Sequence, residues 1–451
     1  MTGVALSRWT MSYFASALLA LIAAECMMAM GYGYPAAPIE APETLILVHI
    51  VAIGWLSLLM CGALFQFVPV LVARSLHSNG LPLPTLGILL LGLIALIVGF
   101  LQLGGYVVHD LPCLPVAGIL LGIGFTLVLW NLGRTLFAAR PLPLPARFVV
   151  VGLCCLAVTV ALGIVFTLAL SGITDRQPLL DLTVSGVPIH IVAGLGGWLT
   201  FTAIGVSYRL LAMFMLAPEL GGGTTRAAFY TGVAALAVAI VGGVAAICWI
   251  GGLATMLGLA ALLGTVALAF YGSDILHLYR ARKRRVIELN SRMAALALIN
   301  LVAAVILIAV LLGSGTLGRY AGAAVFFVGF GWLSGLGLAK LYKIVAFLTW
   351  LECYGPVLGK IATPRVQDLV VERRAIKWFY LYFLAVWVAT ASLLAENPLV
   401  FRVAAGAMVV ATFCIVAQLV QTRRLADVNP TMRLPHGVRQ PRLLATRAQH
   451  A

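Results

Sequence analysis

The sequence predicts an all-α polytopic membrane protein, with about 12 transmembrane helices in three pseudo-symmetric four-helix repeats. Three observations predict it. Of the 451 residues, 63% are hydrophobic and 10% charged, with mean hydropathy +1.09, a balance foreign to soluble globular domains. The apolar runs are long and continuous rather than alternating, so the spanning segments are helices that satisfy their own backbone groups. A tryptophan-centred segment also recurs three times without gaps.

Taken in order, the runs place spans at 9–31, 44–73, 83–108, 114–137, 147–170, 187–216, 227–249, 252–279, 293–313, 320–350, 376–395 and 399–421. Several exceed the ~20 residues that cross a bilayer, so tilt or extension beyond it is expected. The run beginning at Trp9 is too long for a signal-peptide core and lacks a cleavage site, so it reads as the first span. The repeats then divide the chain into 1–140, 141–290 and 291–421, followed by a cytoplasmic tail at 422–451. That tail is polar and has no apolar period, which predicts a flexible segment.

The net charge of +15 would suit a nucleic-acid partner if it were clustered on a soluble face. It is instead dispersed in short segments between spans, where Lys and Arg set topology, so no nucleic acid is expected and the bilayer is the partner. With the N-terminus inside, 26 of the 29 Lys and Arg fall at inner segments, and the outer loops keep Arg176, Arg319 and Arg402. Both termini are therefore expected to be cytoplasmic. The run RARKRR at 280–285 reads as a topology anchor able to meet anionic lipid. Eight cysteines (26, 61, 113, 154, 155, 248, 353, 414) form no C-x-x-C pattern and read mostly as small apolar residues.

The recurring segments are GWLSLLMCGALFQ at 54–66, GWLTFTAIGVSYR at 197–209 and GWLSGLGLAKLYK at 331–343. Their tryptophans, Trp55, Trp198 and Trp332, lie 143 and 134 residues apart, each in the second helix of a group of four. Glycine before the tryptophan permits close helix approach, and the Ser or Thr after it can bond within or between helices. The closing Gln66, Arg209 and Lys343 should sit near the cytoplasmic end.

His49 lies six residues before Trp55, and His190 lies eight before Trp198. Both fall within about two turns of the external surface. The third copy has Phe326 and Ala324 at the corresponding positions. Ionisable groups inside spans are functional candidates by default, and neutral imidazole is the commonest metal ligand. Glu25, a carboxylate within the first span, could relay protons near His49, bond His49 and set its tautomer, or make a helix-packing hydrogen bond. Cys26, Met27 and Met30, in the stretch CMMAM, are soft groups suited to Cu(I), though methionine also fills apolar helices. Gln66, Gln102, Asn131, Asn300 and Gln418 are further polar groups in apolar helices. The outer loops 32–43 and 171–185 hold Glu40, Glu43, Asp175 and Asp181 without metal-ligand spacing, and no nucleophile motif or phosphate loop is present.

Three four-helix groups, with a histidine in the second helix and another in the sixth, resemble the catalytic subunit of haem–copper oxidases and nitric oxide reductases. The stretch LVHIVAIGWLSLLMCGALFQFVPVL at 47–71 is similar to helix two in bacterial members of that superfamily. The resemblance implies a bacterial inner membrane, His49 as an axial ligand of haem b, and His190 as a copper ligand. The chain departs from the family in its tenth span (319–347) and seventh span (227–250), which lack the family's further haem and copper histidines. Conventional oxygen or nitric oxide reduction is therefore not expected.

Three readings follow. The first is a haem–copper-oxidase-like protein that keeps haem or copper near the periplasmic side through His49 and His190. Met60, Tyr208, Tyr342 and His190 are then candidates for the second haem ligand. The second is a cofactor-free transporter or channel, in which Cys26, Met27 and Met30 would handle copper. The third is a structural or assembly subunit of a respiratory complex, partnered by other subunits or a redox protein.

Overall fold

The computed structural model describes residues 7–108 and 111–446, so His109 and His450 lie outside the described residues. Among the described residues there is no β-strand, and twelve helices are long and apolar enough to cross a membrane. They are α1 (Thr10–Met30), α2 (Pro42–Val72), α3 (Pro82–Leu103), α4 (Cys113–Phe137), α5 (Leu144–Leu170) and α6 (Val187–Met215). The rest are α7 (Gly223–Ile250), α8 (Leu253–Arg280), α9 (Leu289–Gly313), α10 (Leu317–Val357), α11 (Glu372–Leu394) and α12 (Pro398–Arg423). These follow the twelve apolar runs in order. The sequence does not foreshadow a short additional helix, Gln177–Ser185, in the segment before α6.

The chain divides into two compact units. One comprises Phe67–Ile287, from the end of α2 through α8; the other joins the described residues up to Gln66 to the described residues from Glu288 onward. Compactness thus divides the chain in two, and the threefold grouping rests on the sequence pattern alone.

In the 67–287 unit, small residues set helix spacing. A side-chain carbon at Gly197 would come 2.5 Å from Cys155 on α5, so the glycine of the second motif copy allows close approach there. Asp274 on α8 is 4% exposed and accepts hydrogen bonds from Tyr208 (2.9 Å), Thr224 (2.5 Å) and Thr225 (2.8 Å). This one carboxylate therefore links α8 to α6 and α7, with three donors satisfying an acid that would otherwise be costly to bury.

In the other unit, α1 packs on α12 and on the middle of α2, α9 on α10, and α11 on α12. The segment after α12, expected to be flexible, is packed instead, and the reason is physical. Leu425 and Val428 bury against Cys353, Tyr354 and Leu369. The Tyr354 hydroxyl donates to the Arg433 carbonyl at 2.7 Å. Arg423 donates to Glu352 at 2.9 Å and also to the Arg442 carbonyl. The backbone N–H of Thr446 reaches the Arg8 carbonyl at 2.9 Å.

The three motif copies share one local feature. Each begins at the end of a π-helical stretch, which holds its Gly-Trp-Leu-Ser/Thr: Ile50–Ser57 in α2, Val192–Phe201 in α6 and Phe327–Ser334 in α10. The Leu58 N–H, for example, bonds the Ile53 carbonyl five residues back. Two shorter π-helical stretches occur in α7. Trp55, Trp198 and Trp332 are all buried. The closing residues of the copies also behave alike, each meeting a polar group of its own unit: Gln66 accepts from the Ser7 N–H at 2.8 Å, Arg209 pairs with Glu219, and Lys343 pairs with Glu288 at 2.7 Å.

Candidate functional site

His49 immediately precedes the first π-helical stretch. Its Nδ1 lies 2.7 Å from the carbonyl of Leu45, one turn earlier on the same helix. A carbonyl can only accept, so Nδ1 carries the proton and Nε2 is the acceptor nitrogen. That is one of the two tautomers in which an imidazole can ligate a metal, with its orientation set by a backbone carbonyl. The Nδ1 partner is thus Leu45 and not Glu25, the tautomer partner suggested by the sequence.

A π-helical turn widens the backbone spacing and leaves carbonyls for side chains to satisfy. The third copy shows how this is done. The Ser334 hydroxyl donates to the Gly329 carbonyl at 2.8 Å, the Tyr382 hydroxyl to Phe330 at 3.1 Å, and the Asn300 amide to Gly331 at 3.0 Å. Asn300 is itself held by the Trp387 indole at 3.0 Å. The Trp55 indole donates to Ser334 at 2.7 Å, so the tryptophan of the first copy is tied to the serine of the third. Gly329 is buried, and apart from its own stretch of helix no heavy atom lies within 4 Å of the position its Cβ would take.

His190 belongs to the other unit. Its ring packs 5.4 Å from that of Phe166 on α5, and a carbon added at Gly163 would sit 3.6 Å from its Cε1. The other ligand candidates are dispersed. Met60 lies eleven residues beyond His49 on the same helix, about 16 Å along it, too far to face the imidazole across a haem. The Tyr208 hydroxyl is committed to Asp274. The Tyr342 hydroxyl is buried beside a small cleft lined by Glu288, Asn290 and Lys343, with space for about one water molecule. On α1, Met28 is buried, leaving Cys26, Met27 and Met30 on the less buried face, with Met30 exposed. His77, His277 and His436 are exposed. Among the described residues, no three His, Cys, Asp or Glu side chains gather as a metal-holding group.

Glu25 is fully buried on α1. Its Oε1 accepts from the Thr412 hydroxyl of α12 at 2.9 Å, and its Oε2 has no hydrogen-bond partner among the described residues. At the exposed start of α10, Arg319 grips Glu396 with two bonds of 2.6 and 2.9 Å. Those hydrogen bonds, and then the arginine charge, hold the Glu396 carboxyl below the usual carboxylate range.

Sequence reasoning singled out His49, His190, Glu25 and Asn300 but missed the groups that complete them. Thr412, Tyr382 and Trp387 carry no local signal, because a threonine or aromatic in an apolar helix reads as packing. Ser334 and Trp55 were both visible as parts of the repeat, although their bond to each other was not. No protein-family model matches the chain, and no curated protein sequence matches it.

Proposed function

We propose that the protein is an integral membrane relative of the haem–copper oxidase catalytic subunits that holds haem b through His49. It would do so without the metal set needed for conventional oxygen or nitric oxide reduction. The observation that carries this reading is the Leu45 bond to His49 Nδ1, which presents Nε2 as the ligating nitrogen. Bound haem would supply one-electron chemistry. The chain's own contribution would be an imidazole oriented by the Leu45 carbonyl.

The reading extends to placement. The Lys and Arg distribution supports cytoplasmic termini in a bacterial inner membrane, which puts His49 towards the periplasmic side. His190, with Phe166 against its ring, is the second candidate ligand, for copper. The rival reading, a cofactor-free transporter or channel, is favoured by one observation: the incompletely bonded carboxyl of Glu25.

Haem extraction and elemental analysis of the purified full-length protein test the proposal. About one haem per chain is expected, with copper as the measure of a second site. Protein expressed with ample haem supply that contains no iron–porphyrin would overturn it, whatever its copper content.

A further inference from the structure

Two buried acids inside the spans are provisioned differently. Asp274 receives three hydroxyl donors. Glu25 receives one, from Thr412, and its second oxygen is buried with no partner among the described residues. A carboxylate ion in such a setting needs either a cation or several donors. A neutral carboxylic acid needs far less.

Among the described residues, no nearby cation is arranged to serve Glu25. The elements packed against α1 are α2 and α12. From α2 the titratable groups are Glu43, His49 and Cys61; His49 donates from Nδ1 to Leu45. From α12 they are Arg402, Cys414 and Arg423. Arg402 donates to the Ala29 carbonyl at 3.1 Å, and Arg423 pairs with Glu352. Tyr382 of α11 is within electrostatic reach of Glu25 but brings no positive charge. Glu25 itself lies five residues before the end of α1, about 8 Å along the helix from Met30. It is therefore inside the span, about a turn and a half from the loop that follows.

We propose that Glu25 is a proton-binding site within the membrane. It rests as the neutral acid, with Thr412 bonded to Oε1 and the proton on Oε2. When water reaches that oxygen, the O–H bond breaks heterolytically: the electron pair stays on Oε2 and the proton passes to water as hydronium. The reverse step reloads the site. The ligand is the proton, and the burial of Oε2 makes its exchange depend on local opening between α1 and α12. The site is independent of haem, and would operate equally in a chain that bound none.

Infrared spectroscopy of the full-length protein in lipid nanodiscs tests this. At neutral pH the wild-type protein is expected to show a protonated-carboxyl stretch that shifts in heavy water and is lost at alkaline pH. That band should be absent from Glu25→Gln. Where Glu25→Gln does not fold, Glu25→Asp should move the band instead of removing it. N,N′-dicyclohexylcarbodiimide, which adds to protonated carboxyls in apolar surroundings, should label Glu25 at neutral pH, and peptide mass spectrometry locates the adduct. A wild-type spectrum without the band would overturn the proposal, since Glu25 would then be an ion. So would a band unmoved by both heavy water and alkali, since the acid would not exchange. Haem content does not enter any of these readings, so a failed haem reading is told apart from a failed proton site.

Discussion

Arg423→Ala is expected to destabilise the protein by about 3–5 kcal/mol, the range for breaking one side of a buried ion pair. Arg423 and Glu352 are each 4% exposed at the side chain and sit 2.9 Å apart. Arg423 also donates to the Thr349 hydroxyl at 3.0 Å and to the Arg442 carbonyl. Removing it leaves the Glu352 carboxylate buried without the guanidinium and frees the segment after α12. Thermal unfolding of the full chain in detergent should show the loss, and limited proteolysis should cut between Leu434 and Thr446 faster than in wild type. The paired replacement Arg423→Met with Glu352→Leu should recover most of the stability, because it removes both charges together. An alanine variant within about 0.5 kcal/mol of wild type, the scatter of neutral surface changes, would show that the pair does not hold this segment.

The second large effect is expected at Trp55. This side chain is fully buried, and its ring lies near Gly337, where an added carbon would sit 3.3 Å from the indole. Trp55→Ala should cost about 3–5 kcal/mol through the cavity it leaves. Trp55→Phe keeps most of the volume and loses only the bond to Ser334, so about 1 kcal/mol is expected, in line with hydrogen bonds between membrane helices. The ratio between the two variants distinguishes packing from hydrogen bonding as the work of the motif tryptophan. Equal costs would mean that the 2.7 Å bond to Ser334, not the ring, carries the contact.

The spans were legible because twenty apolar residues in a row admit few other structures in lipid. The glycine and serine of the repeated motif were legible too: Gly197 fits against Cys155, and Ser334 bonds both its own helix and Trp55. Three things were not legible. The π-helical turns leave no composition signature, since Ile50–Ser57 has the same residue types as its α-helical surroundings. The order of the C-terminal segment depends on partners far away in sequence, such as Tyr354 for Arg433 and Arg8 for Thr446. The bond to Glu25 comes from Thr412, 387 residues away, in a helix where a threonine suggests nothing. In each case local pattern sets the helix, and distant packing decides which polar groups meet.

The most direct test of the account is the absorption spectrum of purified wild-type protein beside His49→Ala, each recorded with and without dithionite. The account predicts a Soret band in wild type that shifts on reduction, and its loss in His49→Ala while the variant remains folded. A wild-type protein with no Soret band, or a band unchanged in His49→Ala, would contradict the assignment of His49 as the axial ligand.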